Sequence, residues 1–177
     1  MSAQSSATRY GAVAISIHWV SAAAVAALLA TGLIAADATD PALRTALVQL
    51  HLPLGVIVLL LTLLRIVWWW RFDRHPVPPE GQLRWQQRLA GATHYGLYFV
   101  LLLLVASGIG TLVLSGALPA LLSGAALPDF EGIGPRIVHG IVARLLIGLL
   151  ILHIGAALYH QFIRRDRLLG RMGVGPV

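Results

Sequence analysis

His139 and His153 lie 14 residues apart in one apolar stretch, about Ile137 to Ile163. On a helix that interval is about 40° short of four full turns, so both rings leave one face, roughly 21 Å apart along the axis. Imidazoles stacked at two depths of one helix are what two b-type haems would need from it. His160, seven residues further on, falls close to the same face. The other histidines inside apolar stretches are His18 and His51, and His94 stands near the start of a third. With no cysteine in the chain, disulfides, iron–sulfur clusters, thiolate zinc sites and c-type haem attachment are excluded. Histidine is the neutral ligand that remains.

Four stretches can position these rings. Crossing a hydrocarbon layer of about 30 Å takes roughly 20 apolar residues, and the chain has such runs at about Ala12 to Ala35, Val48 to Trp70, Gly91 to Leu114 and Ile137 to Ile163. Of its 177 residues 58% are hydrophobic and only 11% charged, the balance of an integral membrane protein. The expected fold is all-α: a single four-helix transmembrane bundle over residues 1–177. The first run is too long for a signal-peptide core and has only Arg9 before it, so it reads as a retained helix. Asp40-Pro41 supplies an N-cap and a first-turn proline for the second helix, within which Pro53 should produce a bend. Trp68, Trp69, Trp70 and Phe72 suit a membrane–water boundary, as do Tyr95, Tyr98 and Tyr159. The run His75-Pro76-Val77-Pro78-Pro79 ends that helix and leaves His75 in a solvated loop. The link from Ser115 to Gly134 has an apolar part too short to span, suited to the interface.

The net charge of +6 is carried by arginine alone. Arg9, Arg71, Arg74, Arg84, Arg88, Arg164, Arg165, Arg167 and Arg171 fall on one side of the four runs. The other side has Arg44 and Arg136 beside Asp37, Asp40, Asp129 and Glu131. The positive-inside rule therefore predicts cytoplasmic N and C termini, and the charge implies membrane lipid, not nucleic acid, as the partner.

That orientation assigns depths. His18 and His153 fall in the inner half, His51 and His139 in the outer half, so each pair can supply two axial nitrogens from facing helices. Ionisable groups within a membrane are costly and usually functional. Zinc and copper sites gather their ligands at one point, whereas these four occupy two levels. A proton relay would need a carboxylate within the spans, and there is none. Arg65 follows His51 by 14 residues and shares its face near the inner level, where a guanidinium suits a haem propionate better than mere snorkelling. Arg144, expected to be buried, has two roles open to it: pairing an outer propionate or lining an anion route. His94 and His160 lie on the inner side without depth-matched partners. Each is either an interfacial histidine or a hydrogen-bond donor and proton source for quinone, His160 being the better placed. Gly55, Gly96, Gly108, Gly110, Gly140 and Gly155 leave room for a macrocycle or a neighbouring backbone.

Taken together, Ser16-Ile17-His18-Trp19, His51 with Gly55 and Arg65, Thr93-His94-Tyr95-Gly96-Leu97-Tyr98 and Leu152-His153-Ile154-Gly155-Ala156-Ala157-Leu158-Tyr159-His160 resemble bacterial cytochrome b561. The similarity runs from about Arg9 to Gly170. It implies a four-helix protein of the bacterial inner membrane with two haem b groups, its axial ligands at His18, His51, His139 and His153. It also implies an oxidoreductase activity in which superoxide gives an electron on the periplasmic side and ubiquinone is reduced. One departure is Gly140, where some family members carry an acidic residue. Related di-haem cytochromes instead serve as the membrane anchor or relay of a dehydrogenase, a hydrogenase or a periplasmic carrier, which is the competing expectation.

Overall fold

In a computed structural model, residues 2–78 and 81–175 are described; Pro79 of the proline cluster lies outside them. Four helices are long and apolar enough to cross a membrane. Helix α1 covers Ala12–Asp37. Helix α2, Pro41–Val67, opens as its residues dictate: the Asp40 carboxylate accepts from the Ala42 amide at 3.0 Å, with proline in the first turn. It passes through Pro53 without interruption and closes in a wider π-helical turn, Trp68–Phe72. Helix α3 is Arg84–Ser115, followed by a short α4, Leu118–Ser123. Helix α5, Gly134–Leu158, also ends in a π-helical turn, Tyr159–Arg164, before a last short α6, Leu168–Arg171. Helices α2 and α3 begin well before their apolar runs. Hydropathy marks the part that suits hydrocarbon, whereas backbone hydrogen bonding carries on into the polar boundary.

Two hairpins make the bundle. Helix α1 packs along α2, and α3 along α5; the hairpins then meet mainly where α2 approaches α3. Their cores touch through one thin layer of Val25, Val58, Val100, Val142 and Leu146. Val25, Val58, Val100 and Leu146 each lie about two turns from a histidine of their own helix, and Val142 lies about one turn beyond His139. Among the described residues this buried apolar cluster forms a septum between the two histidine levels. The apolar link is tied down by Gln49, whose Nε2 donates to the Leu121 carbonyl at 2.7 Å. Leu121 turns inward while Leu122 stays exposed.

The end bearing both termini is closed by polar contacts. Trp19 Nε1 donates to the Met172 carbonyl at 3.0 Å, and Arg171 Nη1 to the Val77 carbonyl at 2.7 Å. The aromatic cluster divides its work. Trp70 faces outward at 82% exposure, as a boundary residue should, whereas Trp68 donates to Asp73 and Trp69 stacks on His75 with centroids 3.9 Å apart. His75 is thus not simply solvated. Partial burial, slightly offset by the nearby Asp73 charge, lowers its pKa.

Asp73 accepts from the Ser5 amide at 3.0 Å, the Ser5 hydroxyl at 2.8 Å and Trp68 Nε1 at 3.1 Å. Burial acts to raise its pKa, but these bonds outweigh it and hold the carboxyl below its ordinary value. Because the folded value is depressed, the contribution is complete above the ordinary carboxylate range and is lost as pH falls through the folded pKa. Asp73→Asn should weaken the docking of the N-terminal segment by about 1 kcal/mol. Amide exchange at Ser5 should then be faster at neutral pH and should lose the acid dependence shown by the parent protein.

Candidate functional site

The structure brings the rings together at two levels. At the inner level, nearer the termini, His18 on α1 and His153 on α5 have ring centroids 6.1 Å apart. At the outer level His51 on α2 and His139 on α5 stand 6.2 Å apart. Both pairs cross from one hairpin to the other, where the backbones make few close approaches. With metal–imidazole bonds of about 2 Å, an iron held between two facing rings keeps their centroids roughly 6 Å apart. Among the described residues no three of His, Asp or Glu converge on one point. Each pair therefore suits a metal whose remaining ligands arrive with it, as a porphyrin supplies them.

The outer pair carries its own evidence of which nitrogen is free. The Thr31 hydroxyl donates to the Ala27 carbonyl at 2.8 Å, and its oxygen lies 3.1 Å from His51 Nδ1. The Ser107 hydroxyl donates to the Leu104 carbonyl at 3.0 Å, and its oxygen lies 3.1 Å from His139 Nδ1. Since each hydroxyl proton is committed to a backbone carbonyl, each oxygen accepts, and the proton sits on Nδ1 of the histidine. His139 Nδ1 also faces the Leu104 carbonyl at 3.0 Å. Both outer rings are thus held in the tautomer that leaves Nε2 with its lone pair, the arrangement metal-binding histidines require. Gly32 makes the first contact possible: a Cβ there would stand 3.1 Å from His51 Cε1.

Thr31 and Ser107 look like ordinary helix hydroxyls in the sequence, yet their spacing carries a signal. His18 and Thr31 are 13 residues apart, and so are His94 and Ser107; a glycine follows each hydroxyl residue, Gly32 and Gly108. Likewise His51 to Arg65 and His139 to His153 are both intervals of 14. The two hairpins place equivalent side chains at equivalent heights, so His94 matches His18 and Arg65 matches His153.

That repeat corrects the placing of His94. Its ring centroid lies 5.3 Å from that of His153, so it belongs to the inner level instead of standing alone near the interface. Arg65 lies there too, its charge acting on His18, His94 and His153, with its guanidinium hydrogen-bonded to the Tyr98 hydroxyl. Tyr98 is accordingly a polar partner and not a belt aromatic, unlike Tyr95 at 74% exposure. Arg144, expected inside the bundle, is exposed on a cavity of about 650 Å³ at the outer end. Gly55 and Gly155 face open space, with nothing within 4 Å of where a Cβ would stand.

His160 does have a partner. It is buried at 9% exposure, and its Nδ1 makes a short hydrogen bond with Asp166 Oδ2. The π-helical turn re-aims this part of α5, and such turns recur at functional sites. Asp166 returns to the helix because Arg165 and Arg167 on either side adopt left-handed backbone, φ 57° and 56°, which costs a non-glycine residue roughly 1–2 kcal/mol each. The other carboxylate oxygen, Oδ1, is buried without a hydrogen-bond partner among the described residues.

Imidazoles paired across a four-helix membrane bundle define a protein class that holds haem between its helices. A family model described as prokaryotic cytochrome b561 matches residues 9–175, and the chain belongs to that family. It is 32% identical to cytochrome b561 homolog 2 of Escherichia coli (strain K12) over 188 aligned residues, covering 97% of this chain and 95% of that protein. No solved structure matches the chain. It is a membrane-spanning, b-type haem electron-transfer protein.

Proposed function

We propose that the chain holds two haem b groups, with His51 and His139 as axial ligands at the outer level and His18 and His153 at the inner. It would pass electrons between a donor at the outer face and ubiquinone at the inner face, in the bacterial inner membrane with both termini cytoplasmic. With superoxide as donor, the family-based choice, two superoxide anions, one ubiquinone and two protons yield two molecules of dioxygen and one ubiquinol. The observation that supports this reading best is the equal spacing of two ring pairs, 6.1 and 6.2 Å, on either side of one apolar septum. His94 lies nearer to His153 than His18 does, but 5.3 Å is an edge contact between rings, too close for an iron between them. His18 is the ligand on that ground.

Bound at these positions, haem supplies one-electron redox chemistry; everything else falls to the protein. Thr31 and Ser107 orient the outer imidazoles. Arg65 offers its charge to a propionate at the inner level. The septum residues Val25, Val58, Val100, Val142 and Leu146 carry no titratable side chain and so offer no proton relay of their own between the levels. His160, backed by Asp166, is positioned to hand a proton to a quinone oxygen at the inner end.

The direct test measures haem per chain by the pyridine haemochrome method, then mixes purified oxidised protein with a superoxide source and ubiquinone. Two haems and ubiquinol formation without a partner protein are expected. One haem per chain, or reduction only by a co-purified dehydrogenase, would overturn the assignment. Thr31→Val and Ser107→Ala should each weaken retention of the outer haem about 10–100-fold and leave the inner one in place. Haem release to an excess of scavenging apoprotein measures this.

A further inference from the structure

The outer cavity gathers charges of one sign around a glycine. Arg136 and Arg144 project from α5 one turn before and one turn after Gly140. A Cβ on Gly140 would stand 3.3 Å from Arg136 Nη1 and 3.7 Å from Arg144 Nη1. Two guanidiniums thus converge on a single point that only a hydrogen atom occupies. Among the described residues neither is ion-paired. Arg44 lines the same cavity, stacked over the Phe130 ring at 5.3 Å. Asp129 and Glu131 are on its rim. Three positive charges against two negative leave a balance of one, which matches a monoanion and not a phosphate dianion.

We infer that Arg136 and Arg144 form a cradle over Gly140 for one carboxylate group. A carboxylate has two oxygens in a plane, and each can accept from one guanidinium. Like charges brought this close repel one another until an anion lies between them. The cavity adjoins the outer histidine level, where the Arg136 charge acts on both His51 and His139. Two sources of that carboxylate fit: a propionate of the outer haem, or a free monocarboxylate entering from the outer solution. The inference rests on the proposed outer haem only for the first source.

The experiment uses the haem-loaded protein in detergent, with sodium acetate replacing sodium chloride at constant ionic strength. If the carboxylate is free, acetate raises the thermal midpoint saturably and lowers the outer haem's reduction potential. Arg136→Gln and Arg144→Gln then raise the half-saturating acetate concentration at least tenfold, and Gly140→Glu, which tethers a carboxylate in the cradle, abolishes the response. If it is a propionate, acetate has no effect, and Arg144→Gln lowers the outer potential by about 59 mV, a tenfold change for a one-electron couple. Arg144→Lys, which keeps the charge, restores most of that potential. An unresponsive parent protein whose arginine and glycine variants leave both potentials unchanged would overturn the inference. A haem count of one would count against the two-haem assignment, while the acetate dependence of the thermal midpoint would still report on the cradle.

Discussion

His139→Ala should purify with one haem per chain in place of two. The remaining haem should keep the spectrum and midpoint potential of the inner site. His139 is the side chain of α5 that faces His51 at the outer level, and it is held there by Ser107 and the Leu104 carbonyl. Without it a single imidazole remains, and five-coordinate iron in a membrane cavity gives a different, high-spin spectrum or is lost. The inner pair lies on the far side of the valine and leucine septum, so little reaches it through packing. His139→Gly with free imidazole sharpens the test, because a small ligand can refill the space and restore the six-coordinate spectrum. His18→Ala should produce the converse protein, with the outer haem alone. His94→Ala should keep both haems, since its ring only abuts that of His153. Two haems retained in folded His139→Ala, or an inner haem lost from His94→Ala but not from His18→Ala, would show that the ligands have been assigned to the wrong rings.

Much of this arrangement could be read from the residues because membrane helices obey few rules. Four apolar runs set four spans, and a histidine's place in its run sets its depth. Depth alone then matches His18 with His153 and His51 with His139. What could not be read depends on bonds that leave no periodic trace. Hydroxyl residues in helices commonly bond back to their own backbone, so Thr31 and Ser107 look ordinary until the ring beside them is seen. Tyr98 has the composition of a boundary residue, and only the height of Arg65 on α2 gives it a polar role. The position of Arg144 in its run predicts burial. Its side chain instead points into an outer cavity that the link between α3 and α5 helps to form. Asp166 lies beyond the last apolar residue, and its return depends on two arginines in left-handed backbone, a conformation no pattern of arginine suggests.

That return underlies the second large effect. His160→Gln and Asp166→Asn should each slow ubiquinone reduction by roughly 10²–10⁴-fold, the usual worth of a positioned general acid, with both haems bound and reduced normally by the outer donor. The imidazole is buried, and its Nδ1 is engaged by Asp166 Oδ2, so the ring presents Nε2 as its other functional atom. A carboxylate in this position orients the ring. Arg164 Nε stands 3.9 Å from the same oxygen. The amide of asparagine fits the same space but carries no charge, so Asp166→Asn separates the electrostatic role from simple packing. Asp166 Oδ1 is buried with no hydrogen-bond partner among the described residues, so one acceptor of the pair stays free. Stopped-flow kinetics distinguish the steps: reduction of both haems should keep its rate, while their reoxidation by ubiquinone should slow in proportion to turnover. If reoxidation keeps its rate in both variants, His160 serves the fold of the inner end and the proton reaches the quinone by another route.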